Sequence, residues 1–418
     1  MAEIAAWKQP FHQARRILAK LWLQLHPQVE IIGITGSHGK TNTSSAIATV
    51  LSQKYRTLQT DFNLDTIYNL PITLLKLRGH EMLVLEYGVD HQNEMDFHLS
   101  LVKPSIAVVT GINPTHSDPE LLGSLAGVIK EKGKLLEALP QDGLAILNRD
   151  DKNVQKMAKK TKAKIIWYGT SSKSDFWADK IKIDFSGTSF TLHHKNKSYR
   201  LKTGLIGRHF VHQCLAAASI GRSLGLSWQE IKAGVAKLKP LKGRVSIEKG
   251  PKGSILIDDS LRANPASTKA GLQVLADLPA KGKRIAVLGE MGELGDLAEE
   301  SHREVGGKIA ELGIDYLISI GPLQKLTAQE VVKRGMKKER VIWAKDVHQA
   351  AETLKSLLKK GDLFYLKGSL LRHLERVKLI LEGKKVGCQA NLCHFYHQCD
   401  SCPYLRTGFS EDIMKKNV

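Results

Sequence analysis

The sequence predicts an α/β fold: a larger domain on a mainly parallel sheet, a smaller Rossmann-like domain, and a Cys-rich tail. Three observations carry this. Apolar β-type runs recur at 29–35, 82–87, 106–110, 144–147 and 165–168 with helical stretches between several of them, as expected of strands covered on both faces. The pattern restarts after Pro-Leu-Lys-Gly at 240–243, with runs at 254–257, 284–288, 316–320, 341–343 and 363–366. Composition then changes abruptly at Lys384, and four of the five cysteines fall beyond it.

A chain of 418 residues suggests two or three domains. Its 42% hydrophobic and 25% charged content is that of a soluble globular protein. No run of about 18 apolar residues exists, so no membrane span is expected. Residues 1–10 lack the apolar core of a secretory signal, and a cytoplasmic location is expected. The 62 Lys+Arg against 42 Asp+Glu give +20, an excess that favours anionic partners. The basic residues are scattered, with no recognition helix or RNA-binding motif, so phosphorylated small molecules are expected and nucleic acid is not. Five cysteines are too few to staple the chain, and Cys214, in an Ala-rich helical stretch, reads as buried filler.

In chain order, residues 11–25 carry Leu18, Leu21, Trp22 and Leu25 at i, i+3, i+4 and i+7 with Arg15, Arg16 and Lys20 between them. This amphipathic helix is expected to pack on the following domain and not on a membrane. A strand, a glycine loop at 33–41 and a helix to about Leu51 follow. Residues 181–185, 189–193 and 199–201 read as short strands with turns at Ser186-Gly187 and 195–197, before helices from His209 and Ser227. Pro240 cannot continue the preceding helix and Gly243 frees the backbone, which makes this stretch a hinge. The expected domains are 1–28, 29–239, 240–383 and 384–418.

The glycine loop carries the chemistry. Gly36-Ser37-His38-Gly39-Lys40-Thr41-Asn42, between strand and helix, lets backbone N–H groups approach phosphates. Lys40 would contact the β and γ phosphates and Thr41 would hold Mg²⁺, making this a P-loop ATPase domain that binds ATP. The strict pattern needs a glycine where Ile34 stands, so the loop is a variant.

That variant resembles the Mur ligase family of amide-forming enzymes, and the resemblance runs from Ile31 to about Leu381. The segment 85–91 with Glu86 is similar to the family's Mg²⁺-holding stretch, and 104–110 followed by His116 resembles the strand and histidine that reach a second metal. Residues 123–132 look like the stretch with the carbamylated lysine, Lys132 being the better register and Lys130 the fallback. Asn148-Arg149-Asp150-Asp151, Gly207-Arg208-His209, Lys242-Gly243-Arg244, Asp258-Asp259-Ser260 with Ala263-Asn264-Pro265, the run 287–295, and Lys367-Gly368-Ser369 look like the D-alanyl-D-alanine-adding (MurF) class. The resemblance implies an ADP-forming ligase that phosphorylates a carboxylate for attack by an amine. Its substrates would be a UDP-muramoyl peptide and D-alanyl-D-alanine, in peptidoglycan precursor synthesis, and the enzyme would be a monomer. It further implies Lys40, Glu86, His116 and Lys132 as catalytic residues, with Thr41, Glu86 and His116 on Mg²⁺. Gln213, Arg244 and Asp259 would contact ATP, while Asn264, Lys367 and Ser369 would face the substrates.

Three departures bear on the substrate. Only about 30 residues precede the loop, where the class normally carries an N-terminal domain that grips the UDP-linked sugar. Phe210 and Gln213 stand where Asn is usual, Leu261-Arg262 where Tyr-Asn is usual, and Leu370 follows Lys-Gly-Ser in place of arginine. The third is the tail. Cys388-x4-Cys393-x5-Cys399-x2-Cys402, with His394 and His397 inside, can close a tetrahedral site for Zn²⁺, and the spacing leaves an iron–sulfur cluster or free thiols open. Two other functions remain open: a cyanophycin-synthetase-like ligase with another carboxylate, and a non-enzymatic nucleotide-binding scaffold.

Overall fold

The strands of the first half form one nine-stranded sheet, in the order β2-β3-β1-β4-β5-β6-β7-β8-β9. They are β1 Glu30–Thr35, β2 Thr57–Gln59, β3 Met82–Glu86, β4 Ile106–Val109, β5 Leu144–Asn148, β6 Lys164–Gly169, β7 Phe176–Asp184, β8 Gly187–His194 and β9 Lys197–Thr203. From β2 to β7 every pair is parallel, while β8 and β9 are antiparallel. The helices are α1 Gln9–Gln24, α2 Lys40–Leu51, α3 Thr66–Leu75, α4 Glu94–Leu99, α5 Leu125–Glu137, α6 Lys152–Met157, α7 Phe210–Ser223 and α8 Trp228–Lys237. The structure, a computed structural model, describes residues 9–61, 64–393, 395 and 398–408; residues 1–8, His394 and His397 lie outside them.

The sheet's alternate residues explain its two covered faces. Leu83, Leu85, Ala107, Val109 and Leu147 share a core with Met95, Leu135 and Leu136 of α4 and α5. On the other face α2 packs against α7, whose Ala216, Ala217 and Ala218 are wholly buried. β1 lies between β3 and β4. The chain therefore leaves β1 at a point where strand order reverses, the place where open α/β sheets bind ligands.

The second half builds a six-stranded sheet in the order β10-β11-β15-β12-β13-β14. Its strands are β10 Ser246–Lys249, β11 Ile255–Asp258, β12 Arg284–Gly289, β13 Tyr316–Ile320, β14 Val341–Ala344 and β15 Leu363–Lys367, all parallel except the β10–β11 pair. Helices α9 Pro265–Asp277, α10 Ala298–Glu311, α11 Gln324–Lys333, α12 Val347–Leu357 and α13 Glu375–Leu381 complete it. The chain divides into two compact units, residues 9–182 with 187–239, and 240–408 with 183–186. The Cys-rich segment belongs to the second: Cys399 and Leu405 are buried in a small apolar cluster with Leu379 of α13.

Two features differ from the sequence reading. Strands β2 and β10 were not expected; both are short and half-buried, so neither presents an apolar run. The first helix forms but docks by another face. His12 and Ala19 are buried and Trp22 and Leu23 partly so, whereas Leu18, Leu21 and Leu25 are exposed together with Phe11 and Ile17. Polar contacts decide this orientation. Arg16 lies 3.6 Å over the Phe97 ring and donates to the Phe97 carbonyl, and the Trp22 indole donates to the Leu77 carbonyl. Among the described residues no helix is long and apolar enough to cross a membrane.

Candidate active site

The glycine loop links the carboxyl end of β1 to the first turn of α2. Gly36 has φ +151°, and a Cβ there would lie 2.1 Å from Thr110 Oγ1. Gly39, at φ +79°, precedes Lys40, so only glycine lets the loop pass this closely. The segment after β4 braces it. Ser37 N donates to Gly111 O at 2.8 Å, Ser37 Oγ to Asn113 O at 3.1 Å, and Thr110 Oγ1 to His38 O at 2.5 Å. His38 is lowered to about 4, by burial first and then by Lys40 and His212 against the pull of Asp151, so it is neutral at pH 7. Lys40 Nζ donates to Gly36 O at 2.8 Å and curls over the loop.

Glu86 ends β3 in register with Ile34, and Thr41 Oγ1 donates to its Oε2 at 3.3 Å. A hydroxyl and a carboxylate oxygen at a helix N-terminus are the hard donors that Mg²⁺ takes, so these residues fit that ion. Three residues further on, the Val89 carbonyl is a meeting point. Lys132 Nζ donates to it at 2.8 Å and His116 Nδ1 lies 3.2 Å from it. His116 holds a left-handed backbone, φ +69°. Lys132 is 0% exposed, and burial, with the positive Lys40 adding to it, holds its pKa well below the usual lysine range against Asp90, Glu94 and Glu131. Lys130, by contrast, is exposed.

Glu94, which the motifs did not single out, joins motif residues at this centre. Glu94 Oε2 accepts from Asp90 N at 2.9 Å and His91 N at 3.2 Å, and burial pushes its carboxyl up to about 7. Asp90, His91 and Glu94 bring their ligand-capable atoms within 4.8 Å of one another. The signal for Glu94 is its Asp-x-x-x-Glu spacing from Asp90 at the end of the Glu86 motif. In the turn after β5, Asn148 Nδ2 donates to Thr110 O at 2.8 Å, and Asp151 accepts from Ile112 N at 2.8 Å while capping α6. Gln213 is buried beside Gly39; with its amide turned to donate, it serves His209 O at 2.7 Å and Phe210 O at 3.1 Å. Asn42 is half-buried on the first turn of α2.

The second unit gathers its own set. Asp259 Oδ2 accepts from Lys367 Nζ at 2.6 Å and from Tyr365 OH at 2.8 Å, all three buried. Burial pushes Asp259 up and Lys367 down, and their contact opposes both shifts. Arg244, half-buried, adds positive charge near the pair and is followed by Val245 at φ +58°, a strained setting for a β-branched residue. Asn264 caps α9, accepting from Ser267 N at 2.9 Å ahead of Pro265. Ser369 N donates to Glu290 O at 3.0 Å.

Residues 34–221 match the Mur ligase middle domain and residues 243–370 the Mur ligase glutamate ligase domain. The UDP-N-acetylmuramoyl-tripeptide–D-alanyl-D-alanine ligase of Bacillus subtilis is 32% identical over 362 residues, 86% of this chain and 77% of that protein. The chain belongs to the Mur ligase family. The Escherichia coli enzyme of the same name is 37% identical over 303 residues, 72% of this chain, and the match spans 66% of the relative's length. Among solved structures, MurF from Acinetobacter baumannii superposes with a TM-score of 0.80 at 28% identity, covering 89% of this chain and 81% of that one. MurF from Thermotoga maritima, solved in complex with ADP, shares the fold with a TM-score of 0.78 at 22% identity. The mixed α/β Mur ligase architecture is thus the fold of both units.

Proposed function

We propose that this Mur ligase is an ATP-dependent, ADP-forming carboxylate–amine ligase that joins D-alanyl-D-alanine to a UDP-N-acetylmuramoyl tripeptide in peptidoglycan precursor synthesis. The observation that carries the reading is one centre that holds both a phosphate loop and a buried lysine whose pKa burial holds well below the usual lysine range. Lys40 and the loop N–H groups orient the β and γ phosphates of ATP, while Thr41 and Glu86 provide oxygen ligands for Mg²⁺. When bound, Mg²⁺ neutralises phosphate charge. The substrate carboxylate attacks the γ phosphorus, the bond to the bridging oxygen breaks, and ADP leaves with that electron pair. The amine of D-alanyl-D-alanine then attacks the acyl carbon, and the amide forms as phosphate departs and the amine loses its proton.

Lys132 has a further part. An uncharged amine can attack CO₂, forming an N–C bond and releasing a proton, which converts a lysine into a carboxylate-bearing carbamate. Burial shifts Lys132 toward that uncharged form, and His116 shares its carbonyl anchor. Arg244 and Asp259 serve the nucleotide, with Gln213, and Asn264, Lys367 and Ser369 serve the substrates. The enzyme is cytoplasmic, where ATP and UDP-linked precursors are made, and acts as a monomer of 46.3 kDa. The tail's four cysteines do not come together as a metal site: among the described residues the ligand-capable atoms gathered there are those of His373, Glu375 and Cys399.

The test is phosphate release from ATP with purified chain. Release is expected only when UDP-muramoyl tripeptide and D-alanyl-D-alanine are both present, with the amide product seen by mass spectrometry. No release with any UDP-muramoyl peptide sinks the reading; turnover with a different carboxylate in the same panel keeps the reaction and changes the substrate.

A further inference from the structure

The tail meets the Rossmann-like unit at a point where three metal-capable side chains of different chemistry converge. His373, in the turn before α13, is 1% exposed and takes a left-handed backbone, φ +46°. Glu375 opens α13 and is half-buried, and Cys399 of the tail is buried. The ligand-capable atoms of these three residues all lie within 4.8 Å of one another. Atoms that share a tetrahedral zinc stand roughly 3–4 Å apart, so small side-chain rotations close the set on one ion.

The surrounding contacts hold the three in place. His373 Nδ1 lies 2.9 Å from Glu375 Oε1, and the same carboxylate oxygen accepts from Cys399 N at 3.1 Å. His373 Nε2 lies 3.0 Å from Phe395 O. A carbonyl only accepts, so Nε2 carries a hydrogen, and in the neutral ring Nδ1 keeps its lone pair. A carbonyl on the far ring nitrogen is the outer contact that orients a metal-binding imidazole. Glu375 also lines a cavity, with Asp258, Glu382, Gln398 and Asp400 in its wall, which leaves its carboxylate within reach of an ion and water. A His–Glu ion pair explains the 2.9 Å contact but gives no reason for a thiol at the same point, since a neutral thiol is a weak hydrogen-bond partner. As ligands the three suit one another. Imidazole nitrogen, thiolate sulfur and carboxylate oxygen make a mixed set that fits Zn²⁺ better than Mg²⁺ or Ca²⁺, which take oxygen.

We propose that His373 Nδ1, Cys399 Sγ and a Glu375 carboxylate oxygen bind one Zn²⁺, with water as the fourth ligand. Cys399 gives up its thiol proton on binding, and any proton between His373 and Glu375 leaves, so that all three turn lone pairs to the ion. The other three tail cysteines take no part. The ion ties the tail to the turn that opens α13, beside the apolar contact that Cys399 and Leu405 make with Leu379.

The experiment uses the full chain, purified without a histidine tag, stripped with a chelator and equilibrated with zinc sulfate. Elemental analysis after gel filtration is expected to give one zinc per chain. X-ray absorption at the zinc edge is expected to show a single sulfur among nitrogen and oxygen neighbours. Cys399→Ser, His373→Gln and Glu375→Gln are each expected to weaken zinc binding by more than the roughly 10–100-fold that an outer-shell partner is worth. Cys388→Ser and Cys402→Ser are expected to bind zinc as the wild type does. Circular dichroism monitors folding throughout, and Glu375→Gln, nearly the same shape as the native side chain, tests the site with the least disturbance of the fold. Folded wild-type chain that binds no zinc overturns the proposal, as does wild-type affinity in both His373→Gln and Glu375→Gln. Zinc with two or more sulfur neighbours, lost in Cys388→Ser or Cys402→Ser, overturns it in favour of a thiolate centre. Zinc content is the readout, so the result is independent of which carboxylate and amine the enzyme joins.

Discussion

Among the described residues two lysines are buried, one in each unit, and their surroundings treat them in opposite ways. Lys367 is met by a carboxylate, Asp259, at 2.6 Å, with Tyr365 on the same oxygen. Lys132 is met by the Val89 carbonyl at 2.8 Å, and no ion pair forms at it among the described residues. Burial lowers the pKa of both, but only for Lys367 does a contacting anion oppose it. The same side chain thereby meets a carboxylate partner in one unit and a carbonyl partner in the other. Identity of the residue does not choose between them; its partner does.

The sharpest way to break this contrast is at Lys132. Lys132→Ala is expected to lower kcat by roughly 10²–10³-fold, the cost of removing one group that stabilises transition-state charge. A short carboxylic acid added to this variant is expected to restore part of the rate, because it refills the space with the carboxylate that a carbamate would supply. Lys132→Arg, which cannot be carbamylated, is expected to show no such rescue. Steady-state assays with and without acetate decide it; equal rates for Lys132→Ala and wild type would end the catalytic assignment.

At Lys367 the expectation concerns stability. Lys367→Met strands Asp259 in a buried site, which should cost on the order of 3–5 kcal/mol. Lys367→Met with Asp259→Leu should regain most of that, since removing both charges leaves nothing buried and unpaired. Urea midpoints measured on the three proteins test the pair. A single variant as stable as wild type would mean that Asp259 is not anchored by Lys367.

How far the sequence carried the reading follows from the range of each signal. Lys40, Thr41 and Glu86 lie within a few residues of a strand end, so the local pattern places them together. The parallel sheet was legible for the same reason: its buried strands are continuous apolar runs. His116 and Lys132 meet at Val89 only through tertiary packing, and nothing but register against the family pointed to them. Arg376, with Nη1 3.5 Å from Cys388 Sγ, left no trace, because the cysteine spacing names sulfurs and not the side chains packed on them. The first helix was read on the wrong face, since an apolar stripe shows what could be buried and Arg16 and Trp22 determined what was.

A smaller effect separates the neighbourhood of Lys132 from that lysine itself. Glu94 has a carboxyl pushed up to about 7 by burial, above the roughly 4.3 of an unfolded chain. Between those values the folded state holds more protons than the unfolded state, so stability falls as pH rises through that window. Glu94→Gln should remove this slope and stabilise the protein above pH 7 by on the order of 1–3 kcal/mol. Thermal melts of the variant and wild type at pH 5 and pH 8 measure it; identical slopes would show that Glu94 titrates as if exposed.

The smallest expected effect sharpens the comparison most economically, because it uses two positions on one helix. Residues 130 and 132 are about 200° apart around α5, so they look in nearly opposite directions. Lys132 is buried under the sheet and Lys130 is exposed. Lys130 faces solvent, away from the Val89 carbonyl at which Lys132 and His116 meet, however similar its sequence context. Lys130→Ala should therefore change kcat by less than about twofold and stability by no more than the few tenths of a kcal/mol typical of a surface site. A loss at Lys130 as large as that at Lys132 would move the carbamate to the solvent-facing lysine and take burial out of the mechanism.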